Sequence, residues 1–518
     1  MICGMLALGV MAAAQGEYLR PGTEEVGGVR DMVLIYHGME RRVDWTSEAI
    51  MPYVAHVDED GEPQDWLFDS FLFIEFSTDD GTMLNHAAKD AKLPELADWQ
   101  WLADAWFRDD TGLVGLEEAV AEAGAALGDP EHVVNVVIAL PTPLREITDF
   151  GRAGDEERPQ AGMPAPRGLD FSEEEDRREA VAWYIDEVMR NWKARSFEHL
   201  NLAGFYWLAE NIPSQDADIV GWTGDCVRDM GMKLYFIPYF GGGGATNWRE
   251  IGLDATMLQP NHFFMSEADD QRLLAAAKIA RMAGTGIEIE FDGRALDRGE
   301  HTRRFWAYLD AGVKYGWMDE ALLGYYEGGG AVKMFAEREG LGREMYDALH
   351  EFVKGTYTPS GKVDLAELDF VERDNSGNLA LADKGAQIIG CVRLDDQPEL
   401  TPEEIIDGNV DLYGGMNGFG YFAWPGSFTI ELPKTETVAR TQVMLFDLDG
   451  RHFRYRVDTS VDGETWEPAV DKSEGDWVGW QVDRFEPRQA RQVRFTGLHN
   501  SVNGLFQVVE FEVYPSHQ

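Results

Sequence analysis

The chain has 518 residues, of which 44% are hydrophobic and 12% aromatic, so it is long enough for two or three domains with large cores. Its 93 acidic and 45 basic residues give a formal net charge of −48, which argues against nucleic acids and anionic membranes as partners. Three cysteines lie far apart in the sequence, which argues against a disulfide framework and against a cysteine-based metal motif.

The N-terminus predicts a secretory signal peptide over residues 1–14. The apolar run "MICGMLALGVMAAA" is too short to span a bilayer, and Ala12 and Ala14 form an A-x-A pattern before Gln15. No other apolar run approaches the roughly 18 residues that a membrane span requires. We therefore expect a secreted protein, extracellular or periplasmic, that does not insert into a membrane.

From residue 31, short apolar runs alternate with amphipathic stretches about eight times. This alternation predicts a (β/α)₈ TIM barrel over residues 31–357. A doubly wound sheet is the alternative, but its strands would more often be purely aliphatic, whereas these end in polar and aromatic residues. The predicted strands are 31–38, 68–77, 132–143, 202–211, 232–244, 254–264, 285–292 and 322–330, and the predicted helices are 115–127, 172–195, 213–230, 268–283, 301–318 and 331–354.

The pattern changes after a polar linker that we place at residues 358–382. Short alternating strands joined by turn residues then follow, including "FTIELP", "FRYRVDTSVDGETW" and "FQVVEFEVYP". Such strands predict an all-β sandwich over residues 383–516.

The stretch "TGIEIEFD" (285–292) is the most informative part of the predicted barrel. Glu288, Glu290 and Asp292 alternate with apolar residues, and alternate residues of a strand share a face. As the seventh barrel strand, it would place the acids inside the barrel and the apolar residues against the helices. Neighbouring buried carboxylates raise one another's pKa, as acid–base catalysis requires. The alternative is that the acids pair with arginine or lysine for purely structural reasons.

Glycoside hydrolysis needs a second carboxylate across the scissile bond. Glu210 follows the predicted fourth strand, so it would reach the same mouth of the barrel. The structural alternative is that Glu210 accepts hydrogen bonds from backbone N–H groups at a helix start.

Other predicted strand ends carry aromatic, amide and acidic residues that suit sugars, which combine apolar C–H faces with hydroxyl groups. Trp207, Tyr239 and Tyr326 are predicted platforms, and His37 could equally be a core histidine. The predicted substrate-binding residues are His37, Tyr206, Trp207, Tyr239, Gln259, Asn261, His262, Asp292, Tyr326 and Glu327.

The four glycines at 241–244 lack the lysine of a P-loop and the spacing of a dinucleotide fingerprint, so we interpret them as a mobile active-site loop. No H-E-x-x-H or G-x-S-x-G motif is present. The sequence therefore predicts neither a catalytic metal nor another catalytic cofactor.

Residues 31–357 resemble a bacterial family catalogued as domain of unknown function 4855, whose members look like TIM-barrel glycosidases. The stretches that carry the resemblance are "LAGFYWLAENI", "MKLYFIPYFG", "DATMLQPNHFF", "GIEIEFDGRAL", "FWAYLDAGVKYGWM", "GYYEGGGAV" and "EFVKGTYT".

The acids also resemble those of retaining barrel glycosidases, in which strand four carries the acid/base and strand seven the nucleophile. That resemblance implies Glu210 as acid/base and leaves Glu288 and Glu290 open as nucleophile. We prefer Glu290 because it is nearer the mouth, with Asp292 as third choice. The chain departs from the usual Asn-Glu pair, because Ala209 precedes Glu210.

Residues 383–516 are similar to discoidin-like (F5/8 type C) carbohydrate-binding modules, through "FRYRVDTSVDGETWEPA", "RFEPRQARQVRFTGL" and "FQVVEFEVYP". The resemblance implies glycan binding and a structural calcium ion. The acidic segments 405–411 and 445–450 are candidate calcium ligands.

The sequence thus predicts a secreted enzyme of the retaining glycoside hydrolase class, acting on a polysaccharide or oligosaccharide. One alternative is a non-catalytic glycan-binding protein on a glycosidase-like barrel. A lyase with Tyr239 or His262 as base is a further alternative. The many acids disfavour a highly anionic substrate, except where arginines reverse the charge locally.

Overall fold

The computed structural model describes residues 16–85, 92–151, 168–266, 268–365, 377–390, 405–408, 420–446 and 451–515. The chain divides into two compact units, one of residues 1–263 with 276–365 and one of residues 264–275 with 366–518. The predicted signal peptide lies outside the described residues, as do residues 366–376 of the predicted linker. Among the described residues, no helix combines the length and the apolarity that a membrane crossing requires.

The first unit contains a closed barrel of eight parallel strands, in which each strand pairs with the next and the last pairs with the first. The predicted (β/α)₈ barrel is therefore confirmed. Its strands are β1 (Asp31–Tyr36), β2 (Ser70–Ile74), β3 (Val134–Leu140), β4 (Leu200–Trp207), β5 (Lys233–Phe236), β6 (Ala255–Leu258), β7 (Gly286–Glu290) and β8 (Leu323–Tyr326).

Helices surround the strands, and the six predicted helical regions are all helical. Two helices near the N-terminus, a short helix at Trp248–Ile251 and a two-stranded ribbon (Ala55–Val57 and Pro63–Trp66) were not predicted. The helices are α1 (Ser47–Val54), α2 (Leu96–Ala105), α3 (Leu113–Leu127), α4 (Glu174–Arg195), α5 (Ala217–Asp229), α6 (Trp248–Ile251), α7 (Gln271–Ala283), α8 (Glu300–Tyr315), α9 (Trp317–Glu320), α10 (Ala331–Glu337) and α11 (Leu341–Val353).

The barrel strands end earlier than the apolar runs suggest. The run predicted as 232–244 is a strand only to Phe236, and Pro238 just beyond it has no N–H with which to continue a ladder. Gly241 and Gly244 then adopt positive φ angles of 81° and 91°, which suit glycine in a loop. The polar residues after the apolar runs therefore lie in loops at the mouth rather than in the sheet.

The two faces of β7 are those that its alternation predicts. A Cβ atom at Gly324, which is paired with Glu288, would lie 3.7 Å from Glu288 Cγ and 3.2 Å from the sulfur of Met257. Glu288 therefore occupies the space that this barrel glycine leaves open. Phe291 instead packs against Phe335 of α10 and Phe305 of α8, on the helix side.

The segment before β1 covers the N-terminal end of the barrel. The N–H of Leu19 donates to Thr285 O at 3.0 Å, and Leu19 O accepts from the N–H of Leu322 at 2.7 Å. Tyr235 donates its hydroxyl to Val26 O at 2.8 Å. One end of the barrel is thus closed by backbone, which leaves the C-terminal mouth for a site.

The second unit contains a seven-stranded antiparallel sheet, so the predicted all-β fold is confirmed. Its core combines aliphatic residues with packed phenylalanines, among them Phe428, Phe495 and Phe511. Its strands are β9 (Gln387–Ile389), β10 (Gly420–Ala423), β11 (Gly426–Leu445), β12 (Phe453–Ser460), β13 (Glu467–Trp477), β14 (Trp480–Asn500) and β15 (Leu505–Tyr514). Their order in the sheet is β10-β15-β11-β14-β12-β13, and β9 pairs with β11.

The predicted calcium site falls largely outside the described residues, which include only 405–408 and 445–446 of the two acidic segments. Within the part of the chain that the structure describes, no group of three or more histidine, cysteine, aspartate or glutamate residues is arranged to hold a metal ion. The calcium ion stays a prediction.

Candidate active site

Three glutamates, Glu210, Glu288 and Glu290, lie close enough at the mouth and in the interior of the barrel for their charges to affect one another's pKa. Glu288 and Glu290 on β7 are 1% and 2% exposed, and Glu210 follows β4. The charge of Glu210 contributes to raising the pKa of both β7 glutamates. The structure thus brings together the three residues that the sequence nominates as catalytic.

Glu290 is held by hydrogen-bond donors. Its Oε2 accepts a hydrogen bond from the Tyr308 hydroxyl of α8 and another from the N–H of His262 at 3.2 Å. Burial raises the pKa of Glu290 to about 7, although these two donors lower it. Donors that favour the charged form make Glu290 a buried carboxyl that can still ionise near neutral pH.

Glu288 lies in a different environment from its neighbour. Burial first, and then the charges of Glu290 and Glu210, raise the pKa of Glu288 well above its usual range. Its Oε1 is buried and has no hydrogen-bond partner among the described residues. With like charges nearby and no donor to its Oε1 among the described residues, the neutral form of Glu288 is favoured more strongly than that of Glu290.

Tyrosines surround these glutamates. Burial raises the pKa of Tyr36, Tyr206 and Tyr308, and the charge of Glu288 raises each of them further. Tyr326 packs edge-on against Tyr36 with ring centroids 5.8 Å apart, and burial raises its pKa to about 12. All four phenols therefore remain neutral hydrogen-bond donors throughout the pH range in which glutamates titrate.

Two further acids at the mouth are engaged by arginines. Glu75, directly after β2, accepts hydrogen bonds from Arg42 Nε at 2.7 Å and Nη2 at 2.8 Å, and the Arg42 guanidinium lies 4.5 Å from the Tyr36 ring centroid. Asp292 accepts from the backbone N–H of Arg294 at 2.8 Å and from its Nε at 2.9 Å. Asp292 therefore shapes the loop after β7 and is occupied within the chain.

A cavity of about 400 Å³ opens beside Glu210. Trp207 and Tyr239 line it, but Glu288 and Glu290 do not. Tyr239 is 41% exposed, as a sugar platform requires, whereas Trp207 is 2% exposed and belongs to the wall. The cavity is thus the space next to Glu210 rather than the pocket of the β7 pair.

The glycine run contacts the segment that carries Glu210. The N–H of Tyr239 donates to Glu210 O at 3.0 Å, and the N–H of Gly243 donates to Asn211 Oδ1 at 2.7 Å. A Cβ atom at Gly242 would lie 2.8 Å from Glu210 O. Close backbone approach therefore explains a glycine there, and the mobility of this loop stays a prediction.

The polar residues after β6 organise loops. Asn261 Oδ1 accepts from the N–H of Phe240 at 2.8 Å, and Asn261 Nδ2 donates to Gln259 Oε1 at 3.2 Å. The fully buried His262 ring packs edge-on against Tyr308, with centroids 5.5 Å apart. His262 therefore lies beside the β7 pair, where its N–H donates to Glu290 and its ring packs on the second donor, Tyr308.

Two predicted substrate contacts do not join the others, and for them the prediction needs correction. His37 lies 3.0 Å from Ala105 O through Nε2, and burial lowers its pKa to about 4, so it is a core histidine beneath α2. Glu327 is fully buried and accepts from the Tyr53 hydroxyl and the Gly330 N–H, both at 2.8 Å, at the start of α10. Both side chains are taken up by packing and capping.

Comparison with known proteins now places the chain in a family. The family described as domain of unknown function (DUF4855) matches residues 31–351, which is more than half of the chain. The chain belongs to the DUF4855 family. An F5/8 type C domain follows at residues 394–511, so the resemblances of both halves are confirmed.

Curated relatives of this DUF4855 protein match over a short region. BTB/POZ domain-containing protein 9 of Homo sapiens is 28% identical over 139 residues, and that of Drosophila melanogaster is 32% identical over 114 residues. These matches cover 26% and 21% of this chain, and 21% and 16% of those proteins. The chain thus spans about a fifth of the length of the curated relatives it matches.

Solved structures similar to this chain include "CBM32 of AlyQ in complex with 4,5-unsaturated mannuronic acid". That structure is 21% identical, has a TM-score of 0.22, and the match covers 26% of this chain and 95% of that one. A second is CpGH89CBM32-5 from Clostridium perfringens in complex with GalNAc-β-1,3-galactose, with 18% identity, a TM-score of 0.22, and coverage of 26% and 99%. Scores of this size carry no argument about function.

Proposed function

We propose that this DUF4855 barrel is a secreted, retaining glycoside hydrolase that acts on a polysaccharide or oligosaccharide. Glu210 is the general acid/base and Glu290 the nucleophile. The observation that carries the proposal is the placement of Glu210, after β4, and of the buried Glu288 and Glu290, on β7, at the C-terminal side of the barrel.

The donors around Glu290 support its role as nucleophile. A nucleophilic carboxyl must be ionised before the substrate is attacked, and Glu290 receives hydrogen bonds from Tyr308 and His262 that favour this form. Glu288, whose Oε1 has no partner within the described part of the chain, retains its proton beneath it. Glu288 therefore tunes the charge of the site and does not attack.

Retaining hydrolysis then proceeds in two displacements. In the first, Glu210 donates its proton to the glycosidic oxygen while the Glu290 carboxylate forms a bond to the anomeric carbon, and the C–O bond to the leaving group breaks. In the second, the Glu210 carboxylate takes a proton from water, the water oxygen bonds to the anomeric carbon, and Glu290 is released.

The C-terminal domain is the second part of the proposal, as a glycan-binding module. The Trp424 and His499 rings lie 5.1 Å apart, His452 lies 5.8 Å from His499, and His452 Nε2 lies 3.2 Å from Asp476. An aromatic ring beside polar imidazoles offers both an apolar face and hydrogen-bonding groups to a sugar. The sequence did not single out this cluster, because its four members lie at the ends of four separate strands.

The test is a reducing-end assay of the full chain on a broad polysaccharide and aryl-glycoside panel, with Glu210→Gln and Glu290→Gln beside the wild type. We expect activity that both substitutions abolish, and early products of retained anomeric configuration by NMR. Activity that survives in both variants would overturn the site assignment.

A wild type without activity that binds glycans would instead support the non-catalytic alternative. Pull-down on insoluble polysaccharide tests the C-terminal module, and Trp424→Ala should reduce retention. The matched control is Trp466→Ala, because that ring stacks on Arg494, with 4.1 Å between the guanidinium and the ring centroid, outside the cluster.

A further inference from the structure

Two arginines converge on one aspartate in the wall of the cavity beside Glu210. Arg145 Nε lies 2.7 Å and Arg177 Nη1 lies 3.0 Å from the same oxygen, Oδ1 of Asp216. All three residues line the cavity. Arg145 follows β3, Arg177 belongs to α4, and Asp216 precedes α5, so three separate segments build this group.

The group carries one more positive than negative charge. Arg177 is 1% exposed, so its guanidinium has left water almost completely. The buried Arg177 shares its single carboxylate partner with Arg145, which is 34% exposed, so less than one full negative charge compensates Arg177, and a buried charge is unfavourable without a partner. The excess charge therefore favours an anion in the adjoining space.

Unsatisfied polar atoms cluster around the same cavity. Arg177 Nε, Asn85 Oδ1 and Thr142 Oγ1 are each buried and have no hydrogen-bond partner among the residues that the structure describes. Buried polar atoms of folded proteins are usually hydrogen-bonded, so three orphaned atoms on residues lining one cavity indicate a polar ligand.

We propose that this cavity is a subsite for an acidic sugar residue, whose carboxylate or sulfate group binds Arg145 and Arg177. Guanidinium groups match both anions through paired, charge-assisted hydrogen bonds. The inference rests on the proposed glycoside hydrolase function and names its substrate class. It also identifies where arginines locally reverse the acidity that disfavours an anionic substrate.

The remaining acids of the cavity are compatible with this charge. Glu146 also lines it but is exposed to solvent, so its charge is well screened. Glu210 also lines the cavity, and the general-acid role proposed for it requires a proton on it in the productive complex. In that complex Glu210 adds no negative charge beside the arginine pair.

The decisive experiment compares neutral, uronate and sulfated glycans of matched backbone. Hydrolysis is measured with the wild type, Arg145→Gln and Arg190→Gln, and binding is measured by calorimetry and glycan array with each change in a Glu210→Gln background. Arg145 is partly exposed, so its replacement is the milder change, and thermal unfolding checks the fold. Arg190 is the matched control because it is a 61% exposed α4 residue paired with Glu187.

We expect the wild type to prefer acidic over neutral glycans, and Arg145→Gln to lower that preference about tenfold to a hundredfold. Arg190→Gln should keep it. Equal handling of acidic and neutral glycans by the wild type, or an unchanged preference in Arg145→Gln, would overturn the inference.

The two proposals fail in different ways. Cleavage of neutral glycans with no acidic preference would leave the hydrolase and remove the subsite. Arg145-dependent binding of acidic glycans without any cleavage would leave the subsite and remove the hydrolase. A protein that neither cleaves nor binds any glycan of the panel would overturn both.

Discussion

The barrel carries a pair of acids at each end. The lower pair is Asp31 with Asp69 and the upper pair is Glu288 with Glu290, and burial raises the pKa of all four. At the N-terminal end, Asp31 is 8% exposed and accepts a hydrogen bond from Tyr325 at 2.6 Å. Burial first, and then the charge of Asp69, raises the pKa of Asp31 to about 7. At the mouth, Glu290 has a tyrosine donor, and burial raises its pKa to the same value.

The two pairs differ in what surrounds them. Asp69 Oδ1 accepts from the N–H groups of Arg30 at 3.3 Å and Asp31 at 3.0 Å, so the lower pair ties the chain entering β1 to β2. The upper pair instead couples with Glu210, which lines a cavity. A raised pKa therefore marks burial, whereas a site also needs access from the C-terminal mouth.

The sharpest test of this difference is activity. Glu290→Gln should reduce kcat about 10⁴-fold or more, because the nucleophile is lost while the shape of the side chain is kept. Asp31→Asn, at the other end of the barrel, should leave kcat within about twofold. Initial rates on a substrate found in the panel measure both, and comparable losses in the two variants would refute the assignment of the site to the mouth.

The second test is the dependence of stability on pH. The folded-state pKa of Asp31, about 7, lies above its unfolded value of 3.8, so the folded chain holds a proton that the unfolded chain releases. Stability from this group therefore falls as pH rises between about 4 and 7. Between pH 5 and pH 8 the loss is about 3 kcal/mol.

Asp31→Asn removes this loss, because the amide is neutral and its oxygen can still accept from Tyr325. We expect the Tm of the variant, relative to wild type, to be several degrees higher at pH 8 than at pH 5. Glu288→Gln should show the same trend at the mouth but with reduced activity. A Tm difference for Asp31→Asn that does not change with pH would show that Asp31 is ionised in the folded chain.

The third test removes one tyrosine hydroxyl from each pair. Tyr308→Phe takes away a donor that lowers the pKa of Glu290, so that pKa should rise by about one unit and kcat/KM should fall about tenfold to a hundredfold. The acidic limb of the pH profile should move upward, because Glu290 must be ionised to attack. Tyr325→Phe is the matched control and should leave the profile unchanged; an unmoved profile in Tyr308→Phe would exclude the positioning role.

The carboxylates of the upper pair were predictable from local sequence. A period of two fixes which residues of β7 face the barrel interior, and the alternation of strands and helices brings the ends of β4 and β7 to one mouth. Glu210, Glu288 and Glu290 follow from those two rules alone.

Their partners were not predictable in the same way. Tyr308 lies 18 residues beyond Glu290 on α8, and only the packing of that helix against the barrel sets its contact. Arg145 follows β3, Arg177 lies on α4 and Asp216 precedes α5. No periodicity in the sequence connects these three segments. His37 and Glu327 were predicted as substrate contacts but are engaged by backbone groups, because a polar residue at a strand end can hydrogen-bond to the backbone instead of to a ligand.

The smallest expected effect concerns the exposed ring of Tyr239 at the mouth of the barrel. Tyr239 is 41% exposed and lines the cavity beside Glu210, so its ring can stack on a sugar while its backbone holds the Glu210 segment. Tyr239→Ala should raise KM about three- to tenfold with little change in kcat, because a platform binds the ground state and the transition state equally.

Tyr239→Phe should retain the wild-type KM, and Met230→Ala, a 40% exposed residue after α5, controls for lost surface area. A fall in kcat without a change in KM would instead assign Tyr239 to the chemical step, as the lyase alternative requires.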